Sequence, residues 1–248
     1  MYLVAIRCFH EMGEVNDDGI LMVSALNMLT DGTLPILKDF WPFLTDALSK
    51  TDNPELCRSG LMFLGEFFRV TKENVAEKAD TFLPQVLEVF ENSVDEKTKI
   101  TILETMSDCF LFCGDHARKY FSRTVRLVLE YYKELEFLGD RDSTRESILD
   151  FISSSMHGKL AVAEEIGPFA CLIMDIISSA CIEEDLAMAE KGLLSISDMR
   201  QFHKADEQIR RTCVEGLETI KKAKQLLKMS SMNYSKTLMY VDMSFKDL

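Results

Sequence analysis

Thr33-Leu-Pro-Ile-Leu-Lys-Asp-Phe-Trp-Pro-Phe-Leu-Thr-Asp-Ala-Leu-Ser49 returns about one repeat later as Lys78-Ala-Asp-Thr-Phe-Leu-Pro-Gln-Val-Leu-Glu-Val-Phe-Glu91. Pro42 and Pro84 stand 42 residues apart, and Pro168, in Ile166-Gly-Pro-Phe-Ala-Cys-Leu172, stands 84 further on, two such steps. A fixed period near 42 is the mark of a helical array, in which each unit stacks only on its neighbours. The first helices share a second pattern: Gly65-Glu66-Phe67, Ser107-Asp108-Cys109 and Ser197-Asp198-Met199 all read small, acidic, apolar. A small residue there admits a neighbouring helix, and the acid is expected to serve structure.

The spacing predicts ten main helices in five pairs, at about 17–50, 54–92, 96–136, 143–180 and 184–228, forming one all-α solenoid over residues 1–228. Residues 1–12 read as a further helix without its partner, and 229–248 as a separate, mobile tail. Punctuation supports the divisions. Asp31-Gly32-Thr33 stops one helix and caps the next, and Pro54 opens a helix after Thr51-Asp-Asn. Gly114 and Asp115 are expected as a stop and a cap, and Gly139-Asp-Arg-Asp-Ser-Thr144 as a polar break. Pro42, Pro84 and Pro168 are expected near a first turn or at a kink, because an interior proline costs a helix about 3 kcal/mol or more.

Hydrophobic residues are 47% of the 248, so the chain is not disordered, and 5 Pro with 11 Gly are too few for a sandwich of many turns. The net charge of −13 is uneven: residues 200–248 carry 10 Lys+Arg and 6 Asp+Glu, which leaves a balance of −17 on the rest. So acidic a surface repels nucleic acid and suits a basic polypeptide. Seven Cys, an odd number, sit in apolar helical pattern, as at Cys109, Cys171 and Cys213, which indicates reduced thiols packing as small hydrophobes. No secretory leader and no apolar run of about 18 residues is seen, so no membrane insertion is expected.

Four stretches resemble the importin-beta family of nuclear transport receptors, in its C-terminal part. Phe40-Trp-Pro-Phe-Leu44 is similar to the family's F-x-P-F-L, Leu64-Gly-Glu-Phe67 to its V-G-D-L, and Thr144-Arg-Glu-Ser-Ile-Leu-Asp150 to its L-R-E-S-C-L-E. Gly192-Leu-Leu with Asp198-Met199 resembles its last G-L-I-G-D-L. They occur in the family's order across about 17–225. The resemblance implies HEAT repeats in a right-handed superhelix whose second helices line a concave face. That face would grip the basic importin-beta-binding segment of importin-alpha or another basic import cargo. It further implies shuttling between cytoplasm and nucleus through the nuclear pore. FG nucleoporins and the Ran GTPase would be partners of the full-length receptor, through an amino-terminal half that has no match here. The chain therefore reads as a fragment of a receptor about three times longer. Residues 212–220 lack the Trp of the family's last helix, and the tail has no counterpart.

The residues reach the same face independently. In the second pair, Leu83, Val86, Leu87 and Phe90 form an apolar stripe, with Glu88 and Glu91 opposite. One repeat either way from Glu88 lie Asp46 and Glu130, an acidic ladder at steps of 42. Glu134, Asp175, Glu215 and Glu218 extend it. The competing reading is a solvated acidic face. Exposed ion pairs contribute about 0–1 kcal/mol each, so affinity would need many of them plus apolar anchors. Trp41, the one tryptophan, is either such an anchor or, beside Phe40 and Phe43, core between repeats. Lys221, Lys222, Lys224 and Lys228 close a helix, where cations offset its dipole.

Cys109, Cys113 and His116 form a possible metal edge, but no fourth ligand is evident among the flanking apolar residues, and no metal is expected. His10, His116, His157 and His203 pair with no nucleophile, and no Gly-rich phosphate loop is present. No catalytic residues and no cofactor are expected, so the chain reads as a binding protein rather than an enzyme. The alternative within that class is a HEAT scaffold subunit of a phosphatase or coat complex.

Overall fold

The computed structural model describes residues 17–29, 37–50, 52–70, 75–134, 141–158, 163–202 and 207–226. The expected helix at 1–12, the stop and cap at 31–33 and the tail at 229–248 lie outside these. The described residues form α1 (Asp17–Leu29), α2 (Leu37–Ser49), α3 (Pro54–Val70), α4 (Val75–Asn92) and α5 (Glu96–Cys113). A 3₁₀ turn (Gly114–Ala117) precedes α6 (Arg118–Lys133), followed by α7 (Arg141–His157), α8 (Ala163–Ile182), α9 (Leu186–Phe202) and α10 (Glu207–Leu226). No strand occurs among them. The chain is all-α and of the HEAT type, whose repeats run about 40–47 residues.

Two compact units divide at Asp140 and Arg141. In the first, α1, α3 and α5 lie side by side in one row and α2, α4 and α6 in another; α2 against α3 and α4 against α5 join the rows. In the second, α7 packs on α9 and α8 on α10, with α8 also on α9 and α9 on α10. A helix in such rows meets neighbours on several sides. Hence α3 buries nine of its 17 residues, among them Phe63, Leu64, Phe67 and Phe68. On α4, Leu83, Val86, Leu87 and Phe90 are buried while Glu88 and Glu91 face out.

Local chemistry sets the helix ends. Asn53, Asp95 and Asp185 cap α3, α5 and α9, accepting from the Leu56, Thr98 and Met188 amides at 3.2, 2.8 and 3.0 Å. Gly114 ends α5 with φ 51°, a conformation glycine adopts without strain. Asp115 does not cap α6: the 3₁₀ turn intervenes, and its carboxylate takes the Arg118 guanidinium at 2.9 Å. The break at 139–144 is shorter than expected, because Arg141 and Asp142 belong to the first turn of α7, where an acid suits the helix dipole. The three repeated prolines lie beyond first turns. Pro42 and Pro168 are in second turns and Pro84 is in a third, and all three are exposed where water can satisfy the carbonyl each leaves without an N–H.

The acids of the small–acidic–apolar pattern do join successive first helices. Ser24 of α1 donates to Glu66 of α3. Arg69 of α3 meets Asp108 of α5 at 2.6 Å, and His157 of α7 lies 3.7 Å from Asp198 of α9. The small residue has its reason too: a Cβ at Gly65 would stand 3.1 Å from an Asp108 oxygen. Gly192 is tighter, since a Cβ there would stand 2.7 Å from Ile177 of α8.

Two further ties share one design. Arg58 and Arg145 are each the fifth residue of a first helix, and each reaches an acid ahead of the next. Arg58 meets Asp95 at 2.7 Å. Arg145, 4% exposed, forms a two-nitrogen contact with Glu183, one bond at 3.0 Å. The Arg145 hydrogen bond holds the Glu183 carboxyl below its usual range against the opposing effect of burial. At Asp95, burial opposes ionisation, but bonds from the Thr98 hydroxyl and amide and the Arg58 charge outweigh it.

Glu183→Gln is expected to destabilise the protein by about 1–2 kcal/mol at pH 7, a range that allows for the exposed side of the pair. A carboxyl with a depressed folded-state pKa stabilises above its unfolded pKa, and that contribution fades as pH falls through the folded value. Urea unfolding should therefore show the gap between Glu183→Gln and wild type closing at acid pH. Gly192→Ala should cost about 1–3 kcal/mol by overpacking against Ile177, measured the same way.

Candidate functional site on the second helices

Cross-helix bonds set the register of the row α2, α4, α6. Gln85 of α4 donates to the Thr45 carbonyl of α2 at 2.9 Å, and Tyr120 of α6 to Asp80 of α4 at 3.2 Å, each across 40 residues. Gln85 also meets the Ser49 hydroxyl at 2.8 Å. Neighbours therefore stack in parallel, close to one repeat out of step. Asp46, Glu88 and Glu130 occupy equivalent positions on the three helices, and all are exposed.

The acids differ in their local neutralisation. Asp46 pairs with Lys50, just past the end of α2, at 3.0 Å, Glu91 with Arg123 of α6 at 2.7 Å, and Glu134 with Lys99 of α5 at 3.5 Å. The carboxylates of Glu88 and Glu130 meet no cation among the described residues. In the second unit, Asp175 on α8 and Glu215 and Glu218 on α10 are exposed on adjacent helices.

The periodicity did not reveal the cations that tie this row together. Lys119 lies 2.7 Å from Asp80, and its ammonium, helped by Tyr120, holds that carboxyl below the usual range. Lys119 and Arg123 sit one turn apart on α6, but which acids they meet depends on the lateral register. The face is therefore a mixed lattice of acids and cations, and α6 itself carries Arg118, Lys119, Arg123, Arg126 and Lys133 against Glu130.

Trp41 is packed between helices. Its ring centroid lies 4.9 Å from Phe67 and 6.1 Å from Phe63 on α3, and 5.4 Å from Phe82 on α4. The Lys78 ammonium stands 4.8 Å from its ring. The indole is half-buried, so only its outer part is open to a ligand.

Cys57, Cys109, Cys113 and Cys213 are buried free thiols; Cys171, expected inside, is exposed. Burial pushes the Cys57 thiol up to about 11 and Cys213 up to about 12, so both stay protonated and pack as apolar groups. Cys109 and Cys113 lie with sulfurs 3.6 Å apart. Among the described residues no cluster of three or more His, Cys, Asp or Glu is placed to hold a metal, and no helix is long and apolar enough to cross a membrane.

Comparison with known proteins agrees with this architecture. Residues 1–179 match the family model described as importin subunit beta-1-like, TPR repeats. A stretch of 116 residues is 27% identical to importin subunit beta-1 of Schizosaccharomyces pombe (strain 972), covering 46% of this chain and 13% of that relative. The chain thus spans a small part of the relative's length.

Trp41→Ala is expected to destabilise the protein by about 3 kcal/mol through loss of the aromatic cluster, with a smaller loss for Trp41→Phe. Thermal and urea unfolding check this, and a substitution without effect would make Trp41 a surface residue.

Proposed function

Because this chain belongs to the importin subunit beta-1-like family, we propose that it is part of a nuclear transport receptor and binds a basic helical segment of the importin-beta-binding type. The observation that carries this reading is the row of exposed acids at equivalent places on stacked helices: Asp46, Glu88 and Glu130, with Glu88 and Glu130 lacking an internal cation among the described residues. Glu91 and Glu134 flank the row, and Asp175, Glu215 and Glu218 supply a second acidic face on α8 and α10. A net charge of −13 draws a basic ligand in from solution. The reading is non-enzymatic: binding rests on many weak ion pairs rather than one strong contact.

Such a receptor moves between cytoplasm and nucleus. Importin-alpha or a basic cargo is its ligand at this face, while Ran and FG nucleoporins are partners of the complete receptor. The scaffold alternative for a phosphatase or coat complex loses ground to the family match, and it gives the acidic row no ligand.

Glu88→Lys with Glu130→Lys is expected to weaken binding of an Arg/Lys-rich amphipathic peptide at least tenfold. Asp52→Lys with Glu55→Lys, at the start of α3, makes the same charge change away from the row and should weaken it far less. The affinity should also fall with salt, as the Debye length shrinks from about 10 Å at 0.1 M to about 3 Å at 1 M. Equal losses in the two double variants, by fluorescence anisotropy, would reduce the row to a solvated face.

A further inference from the structure

Between α4 and α6 lies a groove of about 80 Å³, lined by Phe90, Glu91, Lys99, Leu127, Glu130, Tyr131 and Glu134. Its floor is aromatic: Phe90 and Tyr131, each 3% exposed, meet edge to face with centroids 5.7 Å apart. Three carboxylates stand at its rim. Arg123 neutralises Glu91 from α6, and Lys99 reaches in from α5. The Lys99 ammonium lies 4.8 Å from the Tyr131 ring centroid and 3.5 Å from Glu134, with its side chain 16% exposed. Glu130 meets no cation among the described residues.

An aromatic face beside carboxylates is a cation site, and here the protein's own lysine already occupies it. An ammonium is a compact, strongly hydrated charge. A guanidinium is planar, stacks on rings and sheds water more readily, so an arginine would fill the groove better. We propose that this groove is the subsite for an arginine side chain of the basic segment, and that Lys99 is an internal competitor that must leave before the arginine enters. The inference rests on the proposed binding of a basic segment to this row, and adds to it a named pocket and a residue that lowers affinity. Lys97 supplies the control: it has the same charge on the same helix, but it is exposed and does not line the groove.

The test compares Lys99→Met with Lys97→Met, and Lys99→Gln serves in place of Lys99→Met should that variant unfold. Each is titrated with the Arg/Lys-rich peptide by anisotropy, and with agmatine, a small guanidinium compound, while the Tyr131 ring resonances are followed by NMR. Lys99→Met should bind the peptide at least fivefold tighter than Lys97→Met, and agmatine should move the Tyr131 resonances in Lys99→Met alone. Where wild type binds the peptide, the peptide ratio decides: equal affinity for the two variants overturns the groove proposal and leaves the acidic row standing. Where wild type does not bind it, the agmatine shift decides. A shift confined to Lys99→Met upholds the groove while the proposed function falls, and no shift overturns both.

Discussion

A hairpin of two helices cannot bury the apolar faces of both, and everything else in this chain follows from that deficit. Within each unit, consecutive first helices cover one another and so do consecutive second helices, so side chains such as Phe63 and Leu64 are buried because another repeat lies against them. The constraint demands regular spacing, and the polar ties maintain it. Glu66 with Ser24, Asp108 with Arg69 and Asp95 with Arg58 join consecutive first helices at partly exposed edges, where a salt bridge is individually weak. Arg145 differs. It is buried, so its link to Glu183 must be kept, because an uncompensated interior charge is costly.

Function follows from what stacking leaves over. Once the rows have consumed the apolar stripes, the outward side of α2, α4 and α6 repeats its polar residues at each step. Charges that would be scattered on a globular protein become a line. Part of that line is spent internally, through Lys50, Arg123, Lys119 and Lys99. These contacts hold the helices in register and set how much acidic charge remains for a ligand. Under the proposed function, a surface with a few unneutralised carboxylates among many paired ones would bind a basic ligand moderately and with salt sensitivity.

Much of the fold was legible in the sequence because its strongest signal is repetition. Pro42 and Pro84 carry the step, and the stripe Leu83, Val86, Leu87 and Phe90 shows which face turns inward. The acids Glu66, Asp108 and Asp198 were readable as structural because they recur beside a small residue. What was not legible depends on lateral register or on three-dimensional neighbours. Nothing near Arg145 in sequence points to Glu183, which is 38 residues away. Trp41 could be weighed only as anchor or core, since Phe63, Phe67 and Phe82 lie on other helices. Asp115 looked like a cap because aspartate after glycine often is one. The 3₁₀ turn that displaces it depends on how α5 and α6 must meet. Cys171 fits an apolar pattern by composition, yet it falls on the open side of α8.

Whether this row is an interface is decided by where a basic ligand lies on it. A basic amphipathic peptide carrying a photoreactive group, cross-linked to the protein and mapped by mass spectrometry, reads that position residue by residue. Adducts are expected on the outward sides of α2, α4 and α6, centred near Asp46, Glu88 and Glu130, and should disappear at high salt. Adducts concentrated on α1, α3 and α5, or spread evenly over both rows, would contradict that placement.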